Sequence, residues 1–364
     1  MVSHSNLDHF PPSSISSTLL LATLPSFSTP HFLAPIIQAA ASATRNKLTI
    51  ILFSRLFNRT LRQHEGQGRT RSDSSSSLIP TRTESFDVVQ RLLTFTYVQA
   101  TRIAQDQGKV LMQVDVLLKG FNEAVPPTIA EGVELVFRVK GDSMAVSLPQ
   151  EITALRAAWL IPGNLASTPP TPGEIPSSSE KDVPSSYPVV ALGGTFDHLH
   201  AGHKILLSMG AWIAHEKLIV GVTDTSLLGN KSHAELLQPL QTRMDHVRAF
   251  LTLFSGPSSP SALTYDITPI ADVYGPTGHD PYVHALVVSR ETLPGASSID
   301  KERLRKGMES LKVFVIDVIS ATEESVGGGA EAEVEEMKKA KMSSTWIREW
   351  IARTLPGDTG TVPS

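Results

Sequence analysis

In the C-terminal half of the chain the hydrophobic positions switch repeatedly between two spacings. Short β-branched runs at 188–192 (PVVAL), 217–223 (KLIVGVT), 262–270, 284–289 (HALVVS) and 312–319 (KVFVIDVI) have the length and content of strands buried on both faces. Between them lie patterns suited to buried helices. Ile205, Leu206, Leu207, Met209, Trp212 and Ile213 form the first, 241–254 and about 299–311 the next two, and 344–355 the last. Strands separated by helices in this way predict right-handed βαβ units and a parallel, doubly wound, Rossmann-like sheet of the α/β class. Such sheets bind ligands beyond the carboxyl ends of their strands.

The N-terminal half is patterned less clearly. A helix is expected over 31–44, a strand over 48–53 (LTIILF), and a helix over 86–104, where Val88, Val89, Leu92, Leu93 and Tyr97 recur at helical spacing. Residues 109–118 alternate like a strand, and 134–139 is a further strand candidate. Residues 1–162 therefore predict a smaller α/β unit, interrupted at about 59–85 by a polar, Ser-rich stretch expected to be disordered. Pro, Ser, Thr and Gly gather over 163–187, the chemistry of a flexible linker. The second domain then spans 188–355, and 356–364 forms a disordered tail. A Gly/Glu-rich insertion at about 320–341 reads as solvated.

Composition narrows the class. With 364 residues, 41% hydrophobic and 19% charged, the chain can build two cores, and a net charge of −4 gives no reason to expect nucleic acid or a membrane surface as partner. No stretch approaches the roughly 20 apolar residues of a membrane span. The absence of cysteine excludes disulfides, thiolate nucleophiles and cysteine metal sites. Residues 1–44 are Ser-rich with Asp8 as their one acid, yet hold no arginine, so a cytoplasmic protein is expected, with mitochondrial import as the alternative.

The candidate chemistry starts at GGTFDHLHAGH, 193–203, between a predicted strand and a predicted helix. Gly193 and Gly194 allow a sharp turn and close approach of a ligand, and the uncapped N–H groups of the next helix favour an anion. His200 and His203, around Gly202, fall on one face of the first helical turn. The stretch lacks the Walker pattern, so it is not a P-loop. Two other readings stay open: a plain strand-to-helix corner, and a metal site in which His198 and His200 form a ligand pair. After the second strand comes TDTSLLGNK, where Lys231 is placed to neutralise charge on transferring phosphates, followed by ELLQP. Arg290, at a strand end, either clamps a phosphate or closes an internal ion pair. Ser344 or Thr345 in MSSTWIR caps the last helix and leaves N–H groups for a phosphate.

Together GGTFDHLHAGH, the lysine loop with ELLQP and Arg243, the loop YGPTGHDP at 274–281, VVSRET at 287–292 and SSTWIR resemble the eukaryotic and archaeal type of phosphopantetheine adenylyltransferase, within the HxGH nucleotidyltransferases. The resemblance covers about 187–355. It implies transfer of AMP from ATP to 4′-phosphopantetheine, giving dephospho-coenzyme A and pyrophosphate, with Mg²⁺ accompanying ATP and no protein metal ligands. It also implies catalytic roles for His203, Lys231 and Thr195. Nucleotide contacts would come from Gly193, Gly194, Thr195, Phe196, His200, Gly202, His203, Arg290, Ser343, Ser344, Thr345 and Arg348, and acceptor contacts from Asp197, Lys231 and Arg243. With no Walker-type P-loop in the sequence, which a following kinase domain would need, the expected enzyme is monofunctional. Other nucleotidyltransferases, such as one adenylating nicotinamide mononucleotide, are the alternative. A third reading is a scaffold for other coenzyme A biosynthesis enzymes.

Overall fold

A computed structural model describes residues 11–58, 80–144, 146–163, 183–229, 231–256, 263–317 and 343–354. The chain divides into one unit of residues 1–186 with 252–261 and a second of 187–251 with 262–364.

The first unit begins with β1 (Ile15–Thr23), followed by α1 (Ala34–Ala43), β2 (Thr44–Phe53), α2 (Phe86–Asp106), β3 (Gln113–Lys119), β4 (Leu135–Val139), the single turn α3 (Gln150–Thr153) and β5 (Ala157–Leu160). Its five strands are all parallel, in the order β3-β2-β1-β4-β5. Val89, Leu92, Leu93, Tyr97, Ala100 and Ala104 form the buried stripe of α2, which packs against α1.

Two strands of this sheet, β1 and β5, were not anticipated from the sequence. β1 is the central strand, yet its first half, Ile-Ser-Ser-Thr, reads as polar and its apolar core is confined to Leu19–Ala22. Its burial comes from neighbours on both sides, which a local pattern does not contain. β5 is too short to show a period. Of the expected polar insertion, 59–79 lies outside the described residues, whereas Thr81 to Ser85 form an ordered turn in which Thr83 Oγ1 donates to the Pro184 carbonyl at 2.7 Å. The expected linker likewise has 164–182 outside the described residues. So do the insertion at 320–341 and the tail at 356–364.

The second unit runs β6 (Tyr187–Gly194), α4 (Ala201–Ile213), β7 (Ala214–Thr223), α5 (Leu240–Ser255), β8 (Thr264–Ile270), β9 (Ala285–Ser289), α6 (Leu293–Arg305), β10 (Lys312–Ile316) and α7 (Ser344–Thr354). Its strands are again all parallel, in the order β10-β9-β6-β7-β8. Counted from the first strand of each unit, the two orders are the same. The helix expected over 299–311 is shifted to 293–305, because Pro294 occupies the first turn, where a missing N–H costs nothing, and Gly307 at φ +72° ends it.

α4 sets the site. Ile205, Leu207, Met209 and Ile213 are fully buried, each worth about 1.5–3 kcal/mol relative to exposure. Gly210 lets the helix lie close on β6, since a Cβ there would stand 2.4 Å from Leu192 Cδ2. Among the described residues no helix is long and apolar enough to cross a membrane.

Candidate active site

β6 delivers the chain to Gly193 and Gly194, which pair with Gly221 and Val222 of β7. The next residues turn through two left-handed positions at non-glycine residues, Phe196 (φ 52°) and His198 (φ 43°), a conformation held only when the surroundings enforce it. The enforcement is visible. Phe196 is fully buried with its ring 5.2 Å from the His203 ring, and a Cβ on Gly194 would approach Phe196 to 3.3 Å. His198 Nε2 lies 3.0 Å from the Leu236 carbonyl, and its backbone N–H donates to Gln238 Oε1.

His200 is the N-cap of α4 and makes no side-chain cap, so first-turn N–H groups are left for a ligand. Its ring stacks on that of His203 at 3.9 Å between centroids. Both rings keep some exposed surface, while both Nδ1 atoms are enclosed and have no partner. Burial, with Lys204 and His198 nearby, pushes the His200 imidazole down to about 3; burial and then His200 push His203 well below its ordinary value. Two neutral imidazoles therefore stand at the head of the helix, each able to donate one N–H.

The last helix joins this corner from far along the chain. Asp197, fully buried, accepts from the Gln238 N–H through Oδ1 and pairs through Oδ2 with Arg348 Nη1, while its carbonyl accepts from Ser344 Oγ at 2.7 Å. Arg348 Nε also donates to the Ser232 carbonyl, which ties down the loop carrying Lys231. Ser343 caps α7 by accepting from the Trp346 N–H at 3.2 Å. GGTFD, the lysine loop and SSTWIR thus meet at one place, with the ends of β6 and β7 beside them.

Comparison with known proteins agrees with this geometry. The family described as Cytidylyltransferase-like matches residues 191–350. The phosphopantetheine adenylyltransferase of Saccharomyces cerevisiae is 44% identical over 167 residues, covering 46% of this chain and 50% of the yeast protein. That of Pyrobaculum aerophilum is 34% identical over 130 residues, which are 36% of this chain and 79% of the archaeal protein. The chain belongs to the phosphopantetheine adenylyltransferase family. It spans about half the length of the yeast relative and about four-fifths of the archaeal one. A solved structure of a protein with unknown function from Archaeoglobus fulgidus is 28% identical over 36% of this chain and 92% of its own, with a TM-score of 0.30.

Against the expectations for this family, the structure brings Gly193, Gly194, Thr195, His200, Gly202 and His203 together with Ser343, Ser344 and Thr345. Lys231 is exposed, and its side chain has no hydrogen bond or ion pair among the described residues. Four expected contact residues are instead engaged inside the protein. Phe196 is a packing support beneath His203. Asp197 and Arg348 use their polar atoms on each other and on the backbone, so they brace the site rather than face a ligand. Arg243 is fully buried, with Nη1 donating to the carbonyls of Thr195 (2.7 Å) and Thr223 (2.9 Å) and Nε to Gln238. It ties the ends of β6 and β7 together. Arg290, of the two readings left open, forms the internal ion pair, a two-pronged one with Asp317.

Two organising residues were given no role from the sequence, although Gln238 lies within ELLQP. Gln238 bridges Asp197, His198 and Arg243. Arg303, fully buried, gathers the YGPTGHDP loop by donating to the carbonyls of Thr277, Asp280, Val283 and Glu309. Neither role has a local signal, since Gln238 meets a carboxylate, an amide N–H and a guanidinium, and Arg303 a set of carbonyls, that only the fold brings into place.

Proposed function

We propose that the second unit transfers AMP from ATP to 4′-phosphopantetheine, giving dephospho-coenzyme A and pyrophosphate. The observation that carries this reading is the pair of stacked, neutral imidazoles at the start of α4, held beside the capped start of α7. Family membership supports the same choice of substrates.

The acceptor phosphate is already ionised, so its oxygen attacks the α-phosphorus of ATP without a general base. The bond from that phosphorus to the bridging oxygen breaks, and pyrophosphate leaves. Catalysis then rests on position and charge. His203 donates an N–H to the α-phosphate, which suits a ring that burial keeps neutral. The backbone around Gly193 and Gly194, the Thr195 hydroxyl and the free N–H groups of α4 and α7 orient the phosphate chain. Lys231, exposed on its braced loop, neutralises charge shared by the incoming and α-phosphates. Arg243 and Arg348 act as positioning residues. ATP enters as its magnesium complex, with Mg²⁺ as part of the substrate.

A pyrophosphate-release assay with ATP and Mg²⁺ tests the reading against two acceptors. Turnover is expected with 4′-phosphopantetheine and not with nicotinamide mononucleotide. The reverse pattern would move the chain to the other nucleotidyltransferase reading.

A further inference from the structure

The first unit holds a cleft at the point of its own sheet where ligands lie in this architecture. In the order β3-β2-β1-β4-β5 the winding reverses between β1 and β4, and open parallel sheets bind ligands beyond the strand ends at such a reversal. A cleft of about 470 Å³ opens there, lined by Leu21 of β1, Arg138 and Val139 of β4, Trp159 of β5, and Asp142 and Met144 from the loop after β4. That volume lies within the range of small-molecule sites.

Arg138 does not fit a purely structural role. Strand register places it in the row Leu117, Ile51, Leu21, Arg138, Trp159, where its four companions are all apolar. It is only partly exposed, its Nε is enclosed without an acceptor, and the guanidinium has no ion pair or hydrogen bond among the described residues. The guanidinium carbon lies 5.7 Å from the centroid of the Trp159 ring. The acid in the cleft is used elsewhere, since Asp142 Oδ2 accepts from the Thr23 backbone N–H at 2.7 Å and folds its loop over the end of β1. Thr23 Oγ1, beside that tie, is a second enclosed polar atom without a partner. Buried donors are nearly always satisfied, and an enclosed guanidinium N–H left open on β4, a strand paired on both sides, is costly unless a ligand completes it.

The loop after β1 rules out a copy of the phosphate cradle in the second unit. It has no glycine before α1, prolines at 25 and 30 with a third, Pro35, in the first turn of α1, and no His-x-Gly-His arrangement. The anchor is a side chain rather than a row of backbone N–H groups. We propose that this cleft binds a small organic anion, whose carboxylate or phosphate pairs with Arg138 and whose apolar body lies against Trp159, Leu21 and Met144. The site is separate from the adenylyl-transfer reading and does not depend on it.

Calorimetric titration of the full chain with hexyl phosphate and with hexanoate tests the proposal, and the tighter of the two assigns the anion. At least one is expected to bind saturably, and Arg138→Met is expected to weaken that binding at least tenfold. The same variant should melt at a higher temperature than the parent, because a flexible apolar side chain replaces an uncompensated charge. An Arg138 that merely supports the fold would give the opposite: a lower melting temperature with probe binding unchanged. That result overturns the proposal, as does the absence of saturable binding of either probe to the parent chain. No turnover enters these measurements, so their failure is distinct from failure of the adenylyl-transfer reading.

Discussion

The two units share one strand order and differ in what they place at the strand ends. The second unit ends β6 in two glycines and follows it with a strained turn and paired histidines at an uncapped helix start. Beyond β1 the first unit has prolines, and its cleft is served by an arginine from β4. The sheet is thus a platform, and the chemistry is decided by the few residues after each strand. The arginines make the contrast concrete. Arg348 in the second unit is buried with a carboxylate and two further partners, whereas Arg138 in the first is half-buried over the Trp159 ring, with its enclosed Nε lacking an acceptor among the described residues.

Three experiments press on that contrast. The largest effect is expected from Arg348→Met, which strands the Asp197 carboxylate in the interior and should cost about 3–5 kcal/mol in denaturant unfolding. Set beside the rise expected for Arg138→Met, it predicts opposite signs for the same substitution in the two units. Equal losses at both positions would dissolve the distinction. Next, His203→Ala should lower kcat by roughly 10²-fold, as removal of a preorganised donor does. His31→Ala, just ahead of α1, should leave the rate unchanged. Pyrophosphate release measures both, and equal effects would mean that the two helix starts are not chemically different.

The smallest effect concerns pH. The His200 imidazole is held down to about 3 in the folded chain, whereas an unfolded histidine takes up a proton near its ordinary value of about 6.5. Below that value the unfolded state binds more protons, so stability is fully present above it and falls as the pH drops from there toward about 3. A loss on the order of 1 kcal/mol is expected between about pH 7 and pH 5.5. Melting curves of the parent and of the His200→Gln, His203→Gln double variant check this, the variant being expected to lose most of the slope.

Much of the second unit was legible before the structure, because its strands are continuous β-branched runs and its turn is marked by adjacent glycines. The same reading failed on β1, whose serines and threonines hide the most central strand of the first unit. It also sent Asp197, Arg243 and Arg348 toward ligands, since spacing shows only that a charged residue lies near a motif. It does not show where the side chain points.

What the sequence determined by itself was local: strand, glycine turn, His-x-Gly-His and helix follow one another within a few residues, so short-range backbone preferences suffice to place them. What only the tertiary structure decided was the company these residues keep. Asp197 meets Arg348 across 151 positions, and Thr195 shares Arg243 with Thr223. Arg138 is left between a leucine and a tryptophan. Such partnerships arise when packing of a whole sheet closes long loops and sorts which charges are enclosed together, and that sorting depends on residues far outside any local window.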